Sequence, residues 1–276
     1  MRISLETIVA SATIIGTAAS ILAFVQVGAW LALVCLFFVG LAIFAGWYAY
    51  RQRKVVKRAS IEIEGHSIDS LNMANIKRRV NRTLVIQEAL HTARIDGENL
   101  EISWEYAGYC RTARESAIEF SIDSDNNTPF DQMNCTAFDL VQDPQMTRPI
   151  RPLLIGSEGI SRKISVPFLE SLPKHGVFRV ALRCSLPGCM KAGFGYYTAT
   201  LSFARESVCR SEVCLVFSER LPQWVRVYDC HTQNGAVLLK SLAPVRRTRK
   251  EAEYREVEES PSAQSVRVYA FWRDVV

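Results

Sequence analysis

Apolar residues follow one another with little polar interruption through residues 7–50, then alternate with polar ones over most of the remaining chain. The first stretch holds no Asp, Glu, Lys or Arg between Glu6 and Arg51. As one helix it would measure about 66 Å at about 1.5 Å per residue, roughly twice the ~30 Å hydrocarbon core of a bilayer. Two shorter helices fit that thickness, and Gln26-Val27-Gly28 is the polar break near the middle. The pattern therefore predicts a transmembrane helical hairpin over 1–50, with spans at about 5–25 and 29–50. Trp30 falls at one interface, and Trp47, Tyr48 and Tyr50 at the other.

From Thr83 the period changes to two. The run Leu100-Glu101-Ile102-Ser103-Trp104-Glu105-Tyr106 alternates apolar with polar as a half-buried strand does. Asp96-Gly97 separates it from the preceding strand-like run and signals a tight hairpin, because Gly accepts the positive φ such turns need. Further strand-like runs cover 116–123, 135–141, 150–155, 162–167, 177–185, 195–204, 212–218, 223–230 and 236–242, separated by Gly, Pro, Asp and Asn. No long amphipathic helix interrupts them. Residues 83–244 are thus expected to form an all-β domain, an antiparallel sandwich with immunoglobulin-like or related wiring, with a closed barrel as the alternative. Trp104 and Tyr196-Tyr197 are expected core aromatics.

Three segments depart from this pattern. Residues 51–82 read as a basic juxtamembrane stalk, with a short strand near Ile61 and Ile63 and an imperfect helical face after His66. Residues 245–264 pass from basic to acidic and end in Ser260-Pro261-Ser262, the composition of a solvated linker. Residues 265–276 are apolar again and alternate, placing Val266, Val268, Ala270 and Trp272 on one side and Tyr269 and Phe271 on the other. This tail is expected to dock as a strand, on its own β domain or on a partner's sheet edge.

Charge then sets an orientation. The net charge is +5, and Arg51, Arg53, Lys54, Lys57 and Arg58 follow the second span directly. Basic residues beside a span stay on the cytoplasmic side, so these five are expected at the membrane surface and the β domain in the cytoplasm. The expected location is the inner cell membrane, with two passes. A cleaved signal peptide ending near Ala18-Ala19-Ser20 fits less well, because a complete second apolar segment follows. Eight cysteines are present, with Cys35 in the second span and seven beyond it. An odd number suits reduced, buried thiols better than a closed disulfide framework.

Small residues recur at helical spacing within the spans: Ala12, Gly16 and Ser20 in the first, Ala42 and Gly46 with Gly40 in the second. They predict close helix packing, either within one hairpin or between copies in a homo-oligomer. No ionisable group other than Cys35 lies in the spans, which argues against a proton relay or transporter site.

Candidate chemistry in the β domain is sparse. Cys184-x4-Cys189 and Cys209-x4-Cys214 are two cysteine pairs at the edge of structural zinc spacing, and ordinary buried thiols explain them more simply. Of His66, His91, His175 and His231, none sits in a sequence context that marks a catalytic base. Residues 188–195 form a glycine-rich run with one Lys, read as a hairpin connection rather than a phosphate cradle. Asp123, Asp125 and Asp131 suggest a calcium loop, but Pro129 and the missing distal Glu spoil the match. The basic clusters lack interleaved aromatics, so nucleic acid is not an expected partner. No cofactor or catalytic residue is expected. The expected function is a non-catalytic, membrane-anchored sensing or adaptor protein that binds a protein or small ligand. The alternative is a membrane-permeabilising effector, a layout similar to bacterial defence effectors that pair short transmembrane segments with a sensing domain. A membrane-bound hydrolase stands third.

Overall fold

The computed structural model describes residues 38–43, 61–68, 83–112, 114–124, 126–158, 160–191, 193–200, 208–231, 235–261 and 266–274. The chain divides into two units, Met1–Lys57 and Arg58–Val276. In the first unit the described residues, 38–43, are helical.

The expected membrane hairpin is corrected by this structure. Among the described residues, no helix is long and apolar enough to cross a membrane. The helix at 38–43 rises about 9 Å, against about 30 Å for a hydrocarbon core. The first expected span and the rest of the second lie outside the described residues. Two-pass placement in the inner membrane, and the cytoplasmic side inferred from it, lose their support together. The physical reason is that uncharged composition reports a preferred solvent, whereas a span needs an unbroken helical hydrogen-bond ladder.

The second unit is all-β. Its strands are β1 (Ile61–Ile63), β2 (His66–Ile68), β3 (Leu84–Asp96), β4 (Asn99–Cys110), β5 (Glu115–Asp123), β6 (Thr136–Asp139), β7 (Leu153–Glu158) and β8 (Ser161–Leu172). They continue with β9 (Val177–Leu186), β10 (Gly193–Thr200), β11 (Arg210–Ser218), β12 (Pro222–His231), β13 (Gly235–Leu242), β14 (Arg246–Arg247), β15 (Glu251–Glu259) and β16 (Val266–Arg273). The β3–β4 turn shows how local sequence sets register. Asp96 pairs with Asn99, and the positive φ falls at Gly97, 58°, as a type II′ turn requires at its first central residue.

A seven-stranded sheet, β14-β15-β11-β3-β4-β9-β6, is the backbone of the unit. Two smaller sheets cover its apolar face: β5-β8-β7 and β10-β16-β12-β13. Phe120 of β5 stacks on Tyr106 of β4 at 5.1 Å, and Phe168 of β8 meets Phe178 of β9 at 5.9 Å. At the other end, Phe271 of β16 meets Phe217 of β11 edge-on at 4.9 Å. All three sheets contribute to one core cluster. The β-rich domain and its sandwich layering fit the expectation, with two small sheets rather than one packed on the large sheet. β11 also runs parallel to β3, a pairing that no hairpin turn can encode.

The acidic stretch read as a linker is strand β15. Ala252, Tyr254 and Glu256 point inward at period two, and Tyr254 is only 2% exposed. The intervening charges face outward, where Arg255 bonds Glu212 at 3.2 Å and Glu253 at 2.9 Å. Charge content disguised an alternation that Tyr254 alone reveals.

The C-terminal strand β16 pairs with both β10 and β12 at the centre of the four-stranded sheet. Phe271 packs so closely over Gly195 that a Cβ there would lie 2.4 Å from its ring. Beside it, Arg273 is 1% exposed. Its guanidinium donates to the carbonyl oxygens of Gly97, Met190 and Lys191 at 2.5, 2.8 and 2.7 Å. One side chain thus ties β16 to the β3–β4 turn and to the β9–β10 connection. Burial, reinforced by nearby Arg220, lowers its affinity for the proton. Arg273→Met should destabilise the full chain by about 3 kcal/mol, because three carbonyls lose a charged donor and remain buried. A urea midpoint unchanged from wild type would show that water replaces the guanidinium freely.

Candidate functional site

The two covering sheets meet the large sheet at a buried polar seam. His91 of β3 lies directly opposite Trp104 of β4. Trp104 donates its indole N–H to the Tyr197 hydroxyl on β10 at 2.7 Å. The His91 ring spans two tyrosines, with Nδ1 3.2 Å from the Tyr197 hydroxyl and Nε2 3.1 Å from that of Tyr106. A neutral ring satisfies both contacts. The Tyr197 hydroxyl accepts from Trp104 and donates to Nδ1, while Nε2–H donates to Tyr106. Burial pulls the His91 pKa down to about 3 and pushes both tyrosines up. This histidine is a structural hub, with both nitrogens occupied.

Beyond the seam, charges are paired inside the sandwich end. Glu256 is 6% exposed and accepts from the Tyr269 hydroxyl at 2.5 Å and from Lys240 at 2.7 Å. Arg267 bridges Asp229 at 2.6 Å and Glu258 at 2.7 Å. These pairs align β13, β12 and β16 with β15.

The outer face of the four-stranded sheet is different. Register places Phe194, Trp272 and Trp224 in one row across β10, β16 and β12. The next row is Tyr196, Ala270 and Arg226, and the one after it Thr198, Val268 and Tyr228. The β1–β2 hairpin lies on this face, burying Ile63 and Ile68 in a second cluster with Tyr228, Cys230, Val266, Val268 and Ala270. Its tip reaches the second and third rows through Glu64, and His66 beside the tip reaches the first. Phe194, Tyr196, Trp224 and Trp272 stay half-buried there. His66 stacks on Phe194 at 4.3 Å and 6°. Arg226 sits 4.8 Å over the Trp224 ring and bonds Glu64 at 2.6 Å. The Tyr228 hydroxyl donates to the same Glu64 oxygen. Those bonds, from Tyr228 first and then Arg226, hold the Glu64 carboxyl below its usual range. Burial, with Glu64 alongside, pushes Tyr228 up to about 12. The result is a partly covered aromatic face with a fixed charge pair at its border.

The residues singled out from sequence are scattered relative to this face. Cys184 is buried on β9, where its thiol meets that of Cys135. Cys189 is half-buried in the β9–β10 connection, Cys209 is exposed, and Cys214 donates to Glu253. Among the described residues, no group of three or more His, Cys, Asp or Glu side chains is placed to hold a metal ion. Residues 188–195 form the β9–β10 connection and the start of β10. Asp123 ends β5 and Asp131 lies in the 3-10 turn Phe130–Met133. His175 occupies the β8–β9 turn with φ 64°. Gly40 and Ala42 fall in the helix at 38–43. Ala12, Gly16, Ser20, Gly46, Arg51, Arg53, Lys54, Lys57 and Arg58 lie outside the described residues, as does Asp125.

The aromatic face itself was missed. Alternation in 265–276 separates Trp272 from Tyr269 and Phe271, which was legible. That Phe194 and Trp224 flank Trp272 depends on long-range pairing, which was not. A separate cleft open to solvent is lined by Arg94, Ser218, Glu219, Lys250 and Glu251.

No protein-family profile and no curated protein sequence matches the chain. Among solved structures, it is similar to the M1 zinc metallopeptidase from Deinococcus radiodurans, with TM-score 0.41 and 10% identity over 70% of this chain. A mutant of that peptidase gives TM-score 0.42 and 11% identity over 69% of this chain. The chain spans 43% of the length of each. At this TM-score the likeness carries no weight for fold or activity.

Stability should depend on pH through His91. Below about pH 6.5 the unfolded chain takes up a proton on this ring that the folded chain refuses until about pH 3. Stability is therefore expected to fall with acidification across that window, by up to about 1.4 kcal/mol per pH unit. Urea midpoints of the full chain at several pH values check this. His91→Gln should flatten the slope between pH 6 and 4, and equal slopes in both proteins would contradict the assignment.

Proposed function

We infer that this chain is a non-catalytic binding module that captures a protein partner on the outer face of its four-stranded sheet. The observation carrying this reading is the cross-strand row Phe194, Trp272 and Trp224, half-buried beside Arg226 and His66. Trp, Tyr and Arg dominate the energetic centres of protein interfaces, because they combine large apolar area with a polar handle and few rotors. Here their rotors are already restrained. Strand register, the His66 stack and the Glu64–Arg226 bond fix the side chains before any partner arrives, which lowers the entropy lost on binding. A partly exposed sheet face of this kind also suits a broad protein surface better than an enclosed small molecule. This reading does not require a membrane anchor.

Photo-crosslinking in the cells that produce the chain tests this proposal. A photoreactive phenylalanine at Tyr196 should yield a discrete protein adduct. The same group at Glu101, exposed on β4 of the large sheet, should not. Trp272→Ala or Trp224→Ala should lower adduct yield at least tenfold with the fold intact. Equal labelling at both positions, or no adduct at Tyr196, would reject the face as a docking surface.

A further inference from the structure

Seven described cysteines are free thiols, and they differ in what they touch. The Cys110 thiol donates to the Thr112 carbonyl at 2.8 Å, and Cys214 to the Glu253 carboxylate at 3.6 Å. Cys184 instead lies beside another thiol, that of Cys135. The contact follows from strand geometry. β6 and β9 are antiparallel with Thr136 opposite Arg183, so one step beyond the ladder Cys135 falls opposite Cys184. Directly opposed residues in antiparallel strands have Cα atoms about 4.5–5.5 Å apart, inside the range a disulfide bridges without moving the backbone. The pair is also asymmetric. Cys184 is 4% exposed, while Cys135 is only half-buried at the core's margin.

The geometry points to a modification site that the sequence pairs Cys184/Cys189 and Cys209/Cys214 concealed: Cys135 and Cys184 form a reversible cross-strand disulfide. The chemistry needs a small disulfide oxidant, such as oxidised glutathione, entering from the Cys135 side. The Cys135 thiolate attacks one sulfur of that disulfide and expels the other as a thiolate, which takes up a proton. The Cys184 thiol then gives up its proton and its sulfur attacks Cys135 Sγ, expelling the second small thiol. The net exchange converts two protein thiols and one small disulfide into one protein disulfide and two small thiols. Excess small thiol reverses it. The neighbouring Cys135 thiol, together with burial, opposes ionisation of Cys184 and makes this second step the slow one.

The bridge would act on the edge of the large sheet. β6 has four residues; it pairs with β9 on one side and on the other exchanges backbone bonds with Ile150 through Ala137 alone. Asp139 at its end accepts from the backbone N–H groups of Val141, Gln142 and Leu169, so β6 also anchors the chain leaving it and β8. Oxidation would fasten this short strand covalently.

Exposing the full chain to oxidised glutathione, followed by peptide mapping without reduction, tests the proposal. The expected product is one cross-linked peptide pair, Cys135 with Cys184, two hydrogens lighter than the sum of its parts. Amide exchange at 136–139 should slow at least tenfold in the oxidised protein. Cys135→Ala should abolish both effects. Exposed Cys209 serves as the control that the oxidant has acted. Glutathione left on Cys135 without transfer to Cys184 would overturn the proposal. So would modification of Cys209 with both Cys135 and Cys184 still reduced. The mapping is read on wild-type protein, so it stands even if a variant folds poorly.

Discussion

The seven-stranded sheet has one apolar face too wide for a single small sheet to cover. At about 4.8 Å between strands, its seven strands span about 29 Å, against roughly 10 and 14 Å for the three- and four-stranded sheets. Two covers are therefore needed, and two covers leave a junction. Polar groups at such a junction must find partners without water, since an unmet buried donor costs about 1–3 kcal/mol. Trp104 resolves this with one side chain. Its ring lies on Phe120 of one cover at 6.2 Å, and its N–H reaches Tyr197 of the other. Tyr106 and His91 repeat the link, one through its stack on Phe120 and the other through Tyr197.

Everything at the outer surface depends on that junction. Tyr197 is fixed inward by the seam, so its neighbours Tyr196 and Thr198 must face outward on the same strand. Tyr269 and Phe271 are drawn into the core, so Ala270 and Trp272 turn to the other side. The aromatic row is in this sense the reverse side of the core. The β1–β2 hairpin then buries the apolar part of the outer face and leaves the aromatic end half-covered, with His66 stacked on Phe194 and Glu64 bonded to Arg226 and Tyr228.

Local features were legible from the sequence, and long-range ones were not. Alternation located most strands, and Asp96-Gly97 marked the tightest turn. Glu251–Glu259 was hidden because its outward positions are charged, while Ala252, Tyr254 and Glu256 face inward. No local signal announces that β11 pairs in parallel with β3, or that Cys135 meets Cys184 rather than Cys189. The candidate face was half legible: Trp272 could be assigned a side, but its neighbours across β10 and β12 could not. The charge-free stretch at 7–50 carries the opposite lesson. Its composition is unambiguous, and composition alone does not establish a spanning helix.

A double-mutant cycle tests the coupling of the two covers most directly. Phe120 and Tyr197 belong to different sheets and both contact Trp104. Phe120→Leu, Tyr197→Phe and the double variant of the full chain should give non-additive changes in unfolding free energy, with an interaction of about 1 kcal/mol. Additivity within about 0.3 kcal/mol would mean that each cover packs on the large sheet independently, contradicting the seam as the organising feature of the fold.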